Sequence, residues 1–175
     1  MNLPNKLTIL RILMVPVFVL FMLTDLGGQY SNVISLVIFV IASLTDSLDG
    51  YLARKNNLVT NFGKFMDPLA DKLLVCSALI CLAELDRIPT WMVLIIIARE
   101  FIISGFRLVA SDAGVVIAAS YWGKVKTVVQ VIMIIALLIE FPFAMIIAWV
   151  AVILTVVSLV DYIAKNIDII KKGGI

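Results

Sequence analysis

The chain contains no histidine. That removes imidazole, and with it the ordinary zinc or iron site built on ring nitrogens. Cysteine is scarce as well. Cys76 and Cys81 are the only two; five residues apart in an apolar helix, they point to different faces and read as small core residues rather than as a disulfide or thiolate site. Charge is sparse: Asp, Glu, Lys and Arg make up 15% of 175 residues, and the net charge of +2 is too small to imply nucleic-acid binding. The polar surface of a water-soluble domain is missing too. Hydrophobic residues reach 63%, against about 45–50% in ordinary globular chains, and the mean hydropathy is +1.14. At this length the chain has room for one helical membrane bundle, read as a single domain over 1–175, with no internal repeat and no low-complexity segment.

Six apolar helices are expected, at 5–24, 31–54, 65–85, 89–110, 121–140 and 143–168. Each is near the ~20 residues that cross a bilayer. The breaks carry turn chemistry at Gly27-Gly28, Asn56-Asn57, Pro89, Gly114 and Pro142. Lys6 and Arg11 ahead of the run to Leu23 resemble a signal peptide, but Thr24-Asp25-Leu26-Gly27-Gly28 offers no small-residue cleavage site, so this segment is read as a retained first helix. In a six-span arrangement Lys6, Arg11, Arg54, Lys55, Lys64, Arg107, Lys124, Lys126, Lys171 and Lys172 fall on one side. The opposite loops hold Asp25, Glu84, Asp86 and Glu140, with Arg87 as their one basic residue. The positive-inside rule then gives an all-α integral membrane protein, a bundle of six transmembrane helices with both termini cytoplasmic. Trp91, Trp122 and Trp149 lie at or near span ends, where interfacial anchoring is the default.

Against this apolar background stand four aspartates. Asp46 and Asp49 are three apart, Asp67 and Asp71 four apart, so on helices each pair shares a face. Ionised carboxylates in such surroundings are costly unless neutralised. Pairing with neighbouring cations such as Arg54 and Lys72 would still leave excess negative charge. Two helices meeting face to face would instead form a four-carboxylate cage. Oxygen-only ligands select hard cations, Mg²⁺ or Mn²⁺, and two such ions suit phosphoryl chemistry. Gly50 and Gly63 either let a bulky group approach the backbone beside the cage or serve close helix packing. Ala53 says little alone. Arg54 can meet a phosphate bidentately or anchor the cytoplasmic side. The topology brings the acids of spans 2 and 3 and the basic residues of spans 4 and 5 toward one cytoplasmic-side pocket.

The pattern D-x2-D-G-x2-A-R-x8-G-x3-D-x3-D, met at Asp46, Asp49, Gly50, Ala53, Arg54, Gly63, Asp67 and Asp71, resembles the signature of the CDP-alcohol phosphotransferase family. Eight fixed positions would agree by chance on the order of 10⁻¹⁰ per start site. The six-span count is similar to that family's. The resemblance implies transfer of a phosphatidyl or similar group from a CDP-linked donor to an alcohol, with release of CMP. It implies that Asp46, Asp49, Asp67 and Asp71 ligate two divalent cations, that Asp71 also acts as general base on the acceptor hydroxyl, and that Gly50, Ala53, Arg54 and Gly63 line the CDP site. It further implies a homodimer; the charge topology, for its part, predicts a multi-pass protein of the plasma membrane with its active site on the cytoplasmic side.

The acceptor must be read elsewhere. Arg99 lies well inside span 4, where a functional or paired role is favoured. Arg107 follows Glu100 by seven residues, so the two share a face and could pair. Lys124 and Lys126 open span 5 and serve either as anchors or as anion ligands. So many cations suit a phosphate-bearing acceptor better than a neutral one. Leu3-Pro4-Asn5-Lys6-Leu7-Thr8-Ile9-Leu10-Arg11, Ala98-Arg99-Glu100, Gly123-Lys124-Val125-Lys126-Thr127 and Asp161-Tyr162 resemble the branch of the family that makes phosphatidylglycerophosphate. That branch implies CDP-diacylglycerol as donor and sn-glycerol 3-phosphate as acceptor, with Arg99, Arg107, Lys124 and Lys126 as candidate ligands of the acceptor phosphate. Other acceptors within the family remain open: inositol phosphate, serine or phosphatidylglycerol. A divalent-cation carrier would leave Gly50, Ala53, Arg54 and Gly63 without a clear purpose. Asp161 is a fifth intramembrane acid, expected to pair with Lys165 one turn on or with Lys72.

Overall fold

The computed structural model describes residues 2–55, 61–112, 114, 117 and 120–172. The side chains of residues 3–4, 25, 46–55, 61–62, 64–65, 112 and 168–172 lie outside that description. The described chain is helical: α1 Leu3–Leu23, a short 3-10 segment Asp25–Tyr30, α2 Ser31–Lys55, α3 Asn61–Glu84, α4 Thr90–Asp112, α5 Tyr121–Leu138 and α6 Ala144–Lys172. Most ends fall within two residues of those expected from the apolar runs. Two do not. α3 begins four residues before the expected 65, because Gly63 is accommodated inside the helix rather than ending it. α6 continues four residues past the expected 168, because its polar tail keeps helical order.

Local chemistry sets the ends. The Asn2 side chain accepts from the Asn5 N–H at 3.1 Å and caps α1. The Ser120 hydroxyl accepts from the Gly123 N–H at 3.1 Å and caps α5. Such a cap is worth ~1 kcal/mol. α3 closes with Arg87 N–H donating to the Leu82 carbonyl and Asp86 N–H to that of Ala83. α5 closes the same way, from Phe141 to Ala136 and from Glu140 to Leu137. This is the Schellman arrangement, and it needs a left-handed residue at its centre. Asp86 (φ 54°) and Glu140 (φ 53°) occupy those places without being glycine. Between α1 and α2 the left-handed position goes to Gly28, at φ 52° and ψ −133°, where a side chain would be strained.

The chain divides into two compact units, Met1–Arg87 and Ile88–Ile175. In the first, α1 packs against both α2 and α3. Val15, Phe18 and Met22 of α1 are buried, as are Phe39 and Ala42 of α2 and Leu74, Ala78 and Leu82 of α3. The Phe18 and Phe39 rings meet with centroids 6.2 Å apart. Arg87 donates from Nη2 to Asn32 Oδ1 at 3.1 Å, tying the end of α3 to the start of α2.

In the second unit α6 packs against α5 and α4. Ala144, Ala148 and Ala151 of α6 are buried, a run of small side chains that permits close approach of helices. α4 and α6 run parallel. Trp91 meets Trp149 at 5.4 Å, Arg99 meets Ser158, and Phe106 meets Tyr162 at 6.4 Å, in the same order along both helices.

Four stretches are long and apolar enough to cross a membrane: Asn5–Leu23, Leu26–Thr45, Tyr121–Leu138 and Ala144–Ile167. Large apolar side chains stay exposed along them, among them Leu13, Val37, Ile132 and Ile153, as lipid contact requires and water does not favour. α3 and α4 are as long but more highly charged. α3 carries Lys64, Asp67, Asp71 and Lys72, and α4 carries Arg99, Glu100 and Arg107.

Candidate functional site

The acidic end is built in the first unit. α3 places Gly63, Asp67 and Asp71 on successive turns of one face. Gly63 is buried, and Asp67 and Asp71 are half-buried. Pro68 sits inside this helix; having no N–H, it leaves the Lys64 carbonyl without its usual helical donor. α2 remains helical to Lys55, so Asp46, Asp49, Gly50 and Ala53 occupy one stripe of its backbone. The side chains of Asp46, Asp49, Ala53 and Arg54, and the surroundings of Gly50, lie outside the described residues.

α1 supplies a wall that the aspartate motif did not announce. Asn5, Thr8 and Arg11, three residues apart, are all buried, and Thr8 and Arg11 have no exposed surface. The Thr8 hydroxyl donates to Asp67 Oδ1 at 2.5 Å. Arg11 Nε donates to the Ala42 carbonyl at 3.3 Å, one turn of α2 before Asp46. Arg11 was expected among the cytoplasmic anchors, but its guanidinium lies inside the unit. The available signal was the spacing Asn5-x2-Thr8-x2-Arg11, a polar stripe on a helix whose other residues are mostly apolar.

The donor set fits a hard cation in part. Asp67 and Asp71 offer oxygen only, from one helix face, and are partly shielded from water. Among the described residues no group of three acidic or thiol side chains gathers; Asp46 and Asp49, which would complete the cage, are outside that set.

The second unit builds a cationic cluster. Glu100 Oε1 accepts from Arg99 Nη1 at 3.1 Å and from Lys126 Nζ. Arg99 Nε also donates to Ser158 Oγ at 3.2 Å, and that hydroxyl donates to the Thr155 carbonyl. Lys126 is only 2% exposed, and Gln130 one turn on is buried too. A side chain at Gly123 would come within 3.4 Å of Arg99 Nη2, so the start of α5 lies close against that guanidinium. Two cations thus share one carboxylate oxygen in a poorly hydrated place.

Of the four candidate phosphate ligands, Arg99 and Lys126 are brought together. Lys124 is exposed. Arg107 is exposed as well, its guanidinium 6.0 Å from the centre of the Tyr162 ring. The pairing of Arg107 with Glu100 that a shared face would allow is not formed. Seven residues along a helix is about 10.5 Å of rise, too far for an ion pair, whereas Lys126 reaches Glu100 from the neighbouring helix. Asp161 does pair with Lys165, at 2.7 Å. Neither cysteine is in a disulfide; Cys81 is buried and Cys76 half-buried.

Comparison with known proteins bears on the whole chain. The family model described as CDP-alcohol phosphatidyltransferase matches residues 1–157. A CDP-diacylglycerol--glycerol-3-phosphate 3-phosphatidyltransferase of Bacillus subtilis is 49% identical over 191 aligned positions, covering 99% of each chain. A probable phosphatidylglycerophosphate synthase of Mycobacterium tuberculosis is 42% identical over 99% of this chain and 85% of its own. A Haemophilus influenzae protein with the same name as the Bacillus one is 39% identical over 93% of this chain and 91% of its own. With a match of that extent and an aspartate signature complete at every position, the chain belongs to the CDP-alcohol phosphatidyltransferase family.

Proposed function

We propose that this chain is an integral-membrane enzyme that transfers the phosphatidyl group of CDP-diacylglycerol to sn-glycerol 3-phosphate, giving phosphatidylglycerophosphate and CMP. The observation that carries the reading is the placement of Asp67 and Asp71 on one half-buried face of α3, within a motif whose other acids share a stripe of α2. Relatives at 39–49% identity bear the name of this reaction.

Asp46, Asp49, Asp67 and Asp71 would hold two divalent cations, Mg²⁺ or Mn²⁺. Bound there, such ions neutralise phosphate charge and polarise the phosphorus centre. The remaining work falls to the chain. Asp71 takes the proton from the primary hydroxyl of glycerol 3-phosphate. The freed oxygen attacks the phosphorus that carries diacylglycerol, and the bond to CMP breaks. Gly50, Ala53, Arg54 and Gly63 line the CDP site: the glycines leave room for the nucleotide, and Arg54 meets its phosphate. The acceptor phosphate is held by residues among Arg99, Arg107, Lys124 and Lys126. The Arg99–Glu100–Lys126 cluster supports this assignment for Arg99 and Lys126, because it brings two of the candidate cations together.

The same reading takes residues 1–175 as one catalytic domain in the plasma membrane. All six helices cross the bilayer, both termini are cytoplasmic, and the active site opens to the cytoplasm, where both CDP-linked and phosphorylated substrates are charged and soluble at their heads. The family resemblance supports a homodimer.

The test is CMP release by purified protein given CDP-diacylglycerol and Mg²⁺, with and without glycerol 3-phosphate. Release that requires glycerol 3-phosphate is expected. Release supported by serine, inositol phosphate or phosphatidylglycerol instead would overturn the acceptor assignment and leave the transferase reading standing. Metal flux into liposomes with no CMP release would favour a cation carrier.

A further inference from the structure

Five threonines of the described helices and their caps place their hydroxyls clearly, and four do the same thing. Thr24, Thr45, Thr127 and Thr155 each return the hydroxyl to the carbonyl four residues back, at Leu20, Ile41, Gly123 and Ala151. This is the ordinary resting place of a threonine hydroxyl in an apolar helix. Thr8 has a partner of another kind. Its hydroxyl crosses from α1 to α3 and donates to Asp67 Oδ1, a partner 59 residues away in sequence. A hydroxyl that donates to an ionised carboxylate makes a charge-assisted bond, stronger than one between neutral groups. Thr8 has no exposed surface, so water does not compete for the hydroxyl.

The neighbours on the same stripe extend the contact. Arg11, one turn on, donates to the Ala42 carbonyl of α2. α1 therefore reaches both helices that carry the aspartate motif: α3 at Asp67 itself, and α2 one turn ahead of Asp46. A carboxylate that ligates a metal is usually oriented by a second hydrogen bond from a group that does not touch the metal. One oxygen fixed by a buried hydroxyl limits rotation of the carboxylate and directs how the remaining lone pairs are presented.

We propose that Thr8 is a positioning residue: its hydroxyl sets the orientation of the Asp67 carboxylate for cation binding, which makes α1 a structural part of the site. The inference rests on the reading of the aspartates as cation ligands. It assigns to the N-terminal helix a role that the aspartate motif alone does not contain.

The test measures Mn²⁺ binding by electron paramagnetic resonance on the purified full-length protein, together with the Mg²⁺ concentration that gives half-maximal CMP release. Thr8→Ala and Thr8→Ser differ by a single oxygen. Thr8→Ala is expected to weaken Mn²⁺ binding about 10–100-fold and to raise the Mg²⁺ requirement in parallel, with the KM for glycerol 3-phosphate unchanged. Thr8→Ser is expected to restore both. Equal thermal midpoints would show that the fold is intact; if Thr8→Ala does not fold, the isosteric Thr8→Val takes its place against wild type. Wild-type Mn²⁺ affinity in the hydroxyl-less variants would overturn the role of Thr8 and leave the cation site standing. Failure of the wild-type protein itself to bind Mn²⁺ would overturn the cation reading, and this inference with it.

Discussion

Lys126 of α5 and Glu100 of α4 form an ion pair that is almost closed to solvent, and Arg99 shares the same carboxylate oxygen. Buried pairs of this kind contribute little net stability when complete but cost several kcal/mol when one partner is removed. Lys126→Met should therefore destabilise the second unit by roughly 1–3 kcal/mol, less than a fully isolated pair because Glu100 keeps Arg99. The same change removes one of the cations proposed to meet the acceptor phosphate. The KM for glycerol 3-phosphate should rise at least 10-fold while that for CDP-diacylglycerol stays near wild type. Thermal unfolding in detergent and steady-state kinetics on the same preparation separate the two effects. A KM that moves equally for both substrates would remove Lys126 from the acceptor site.

Asp71→Asn keeps the shape of the side chain and abolishes its basicity. Turnover should fall by about 10²–10⁴-fold for loss of the base alone, and further if cation binding suffers too. The elution profile and melting temperature should not change, since Asp71 is half-buried rather than part of the apolar core. Removing divalent cations with a chelator should stop wild-type CMP release, and Mg²⁺ or Mn²⁺ should restore it.

Orientation can be read by labelling. In a background with Cys76→Ser and Cys81→Ser, Gln29→Cys lies in the 3-10 segment after α1 and Gly114→Cys in the connection after α4. With both termini cytoplasmic, a membrane-impermeant maleimide should label position 29 in intact cells and position 114 only after lysis. Labelling of both from outside would overturn the six-span arrangement.

The fold was largely legible because apolar runs near bilayer length, separated by Gly, Asn and Pro, leave little freedom to a helical chain. The aspartate face of α3 was legible for a similar reason: spacing of four within a helix fixes a common face whatever surrounds it. What spacing does not carry is the register between helices. Nothing in the sequence places Thr8 against Asp67, 59 positions away. Glu100 was matched to Arg107 by counting along its own helix, while its partner Lys126 came from the next one. Basic residues were also counted as interfacial because they are basic. Arg11 shows the limit of that rule, since it is buried against a partner inside its own unit; for Lys126, left open between anchor and anion ligand, burial against Glu100 speaks against a simple anchor. The charges of Asp67, Asp71, Arg99 and Glu100 had a further effect: they lower the apolarity of α3 and α4, so the helices proposed to carry the chemistry are not among the four stretches apolar enough to cross a membrane.

The burial of Arg11 also bears on biogenesis. Arg11 lies eight residues into α1, about 12 Å from its start, and an arginine near the middle of an isolated inserting helix costs roughly 2.5–3.5 kcal/mol. Part of the compensation comes from the Ala42 carbonyl, whose second lone pair is free to accept from a side chain. That carbonyl belongs to α2, which the ribosome makes later. The first helix leaving the translocon by itself would lack that acceptor. Leaving together with the second, as a hairpin closed at Gly27 and Gly28, it would not.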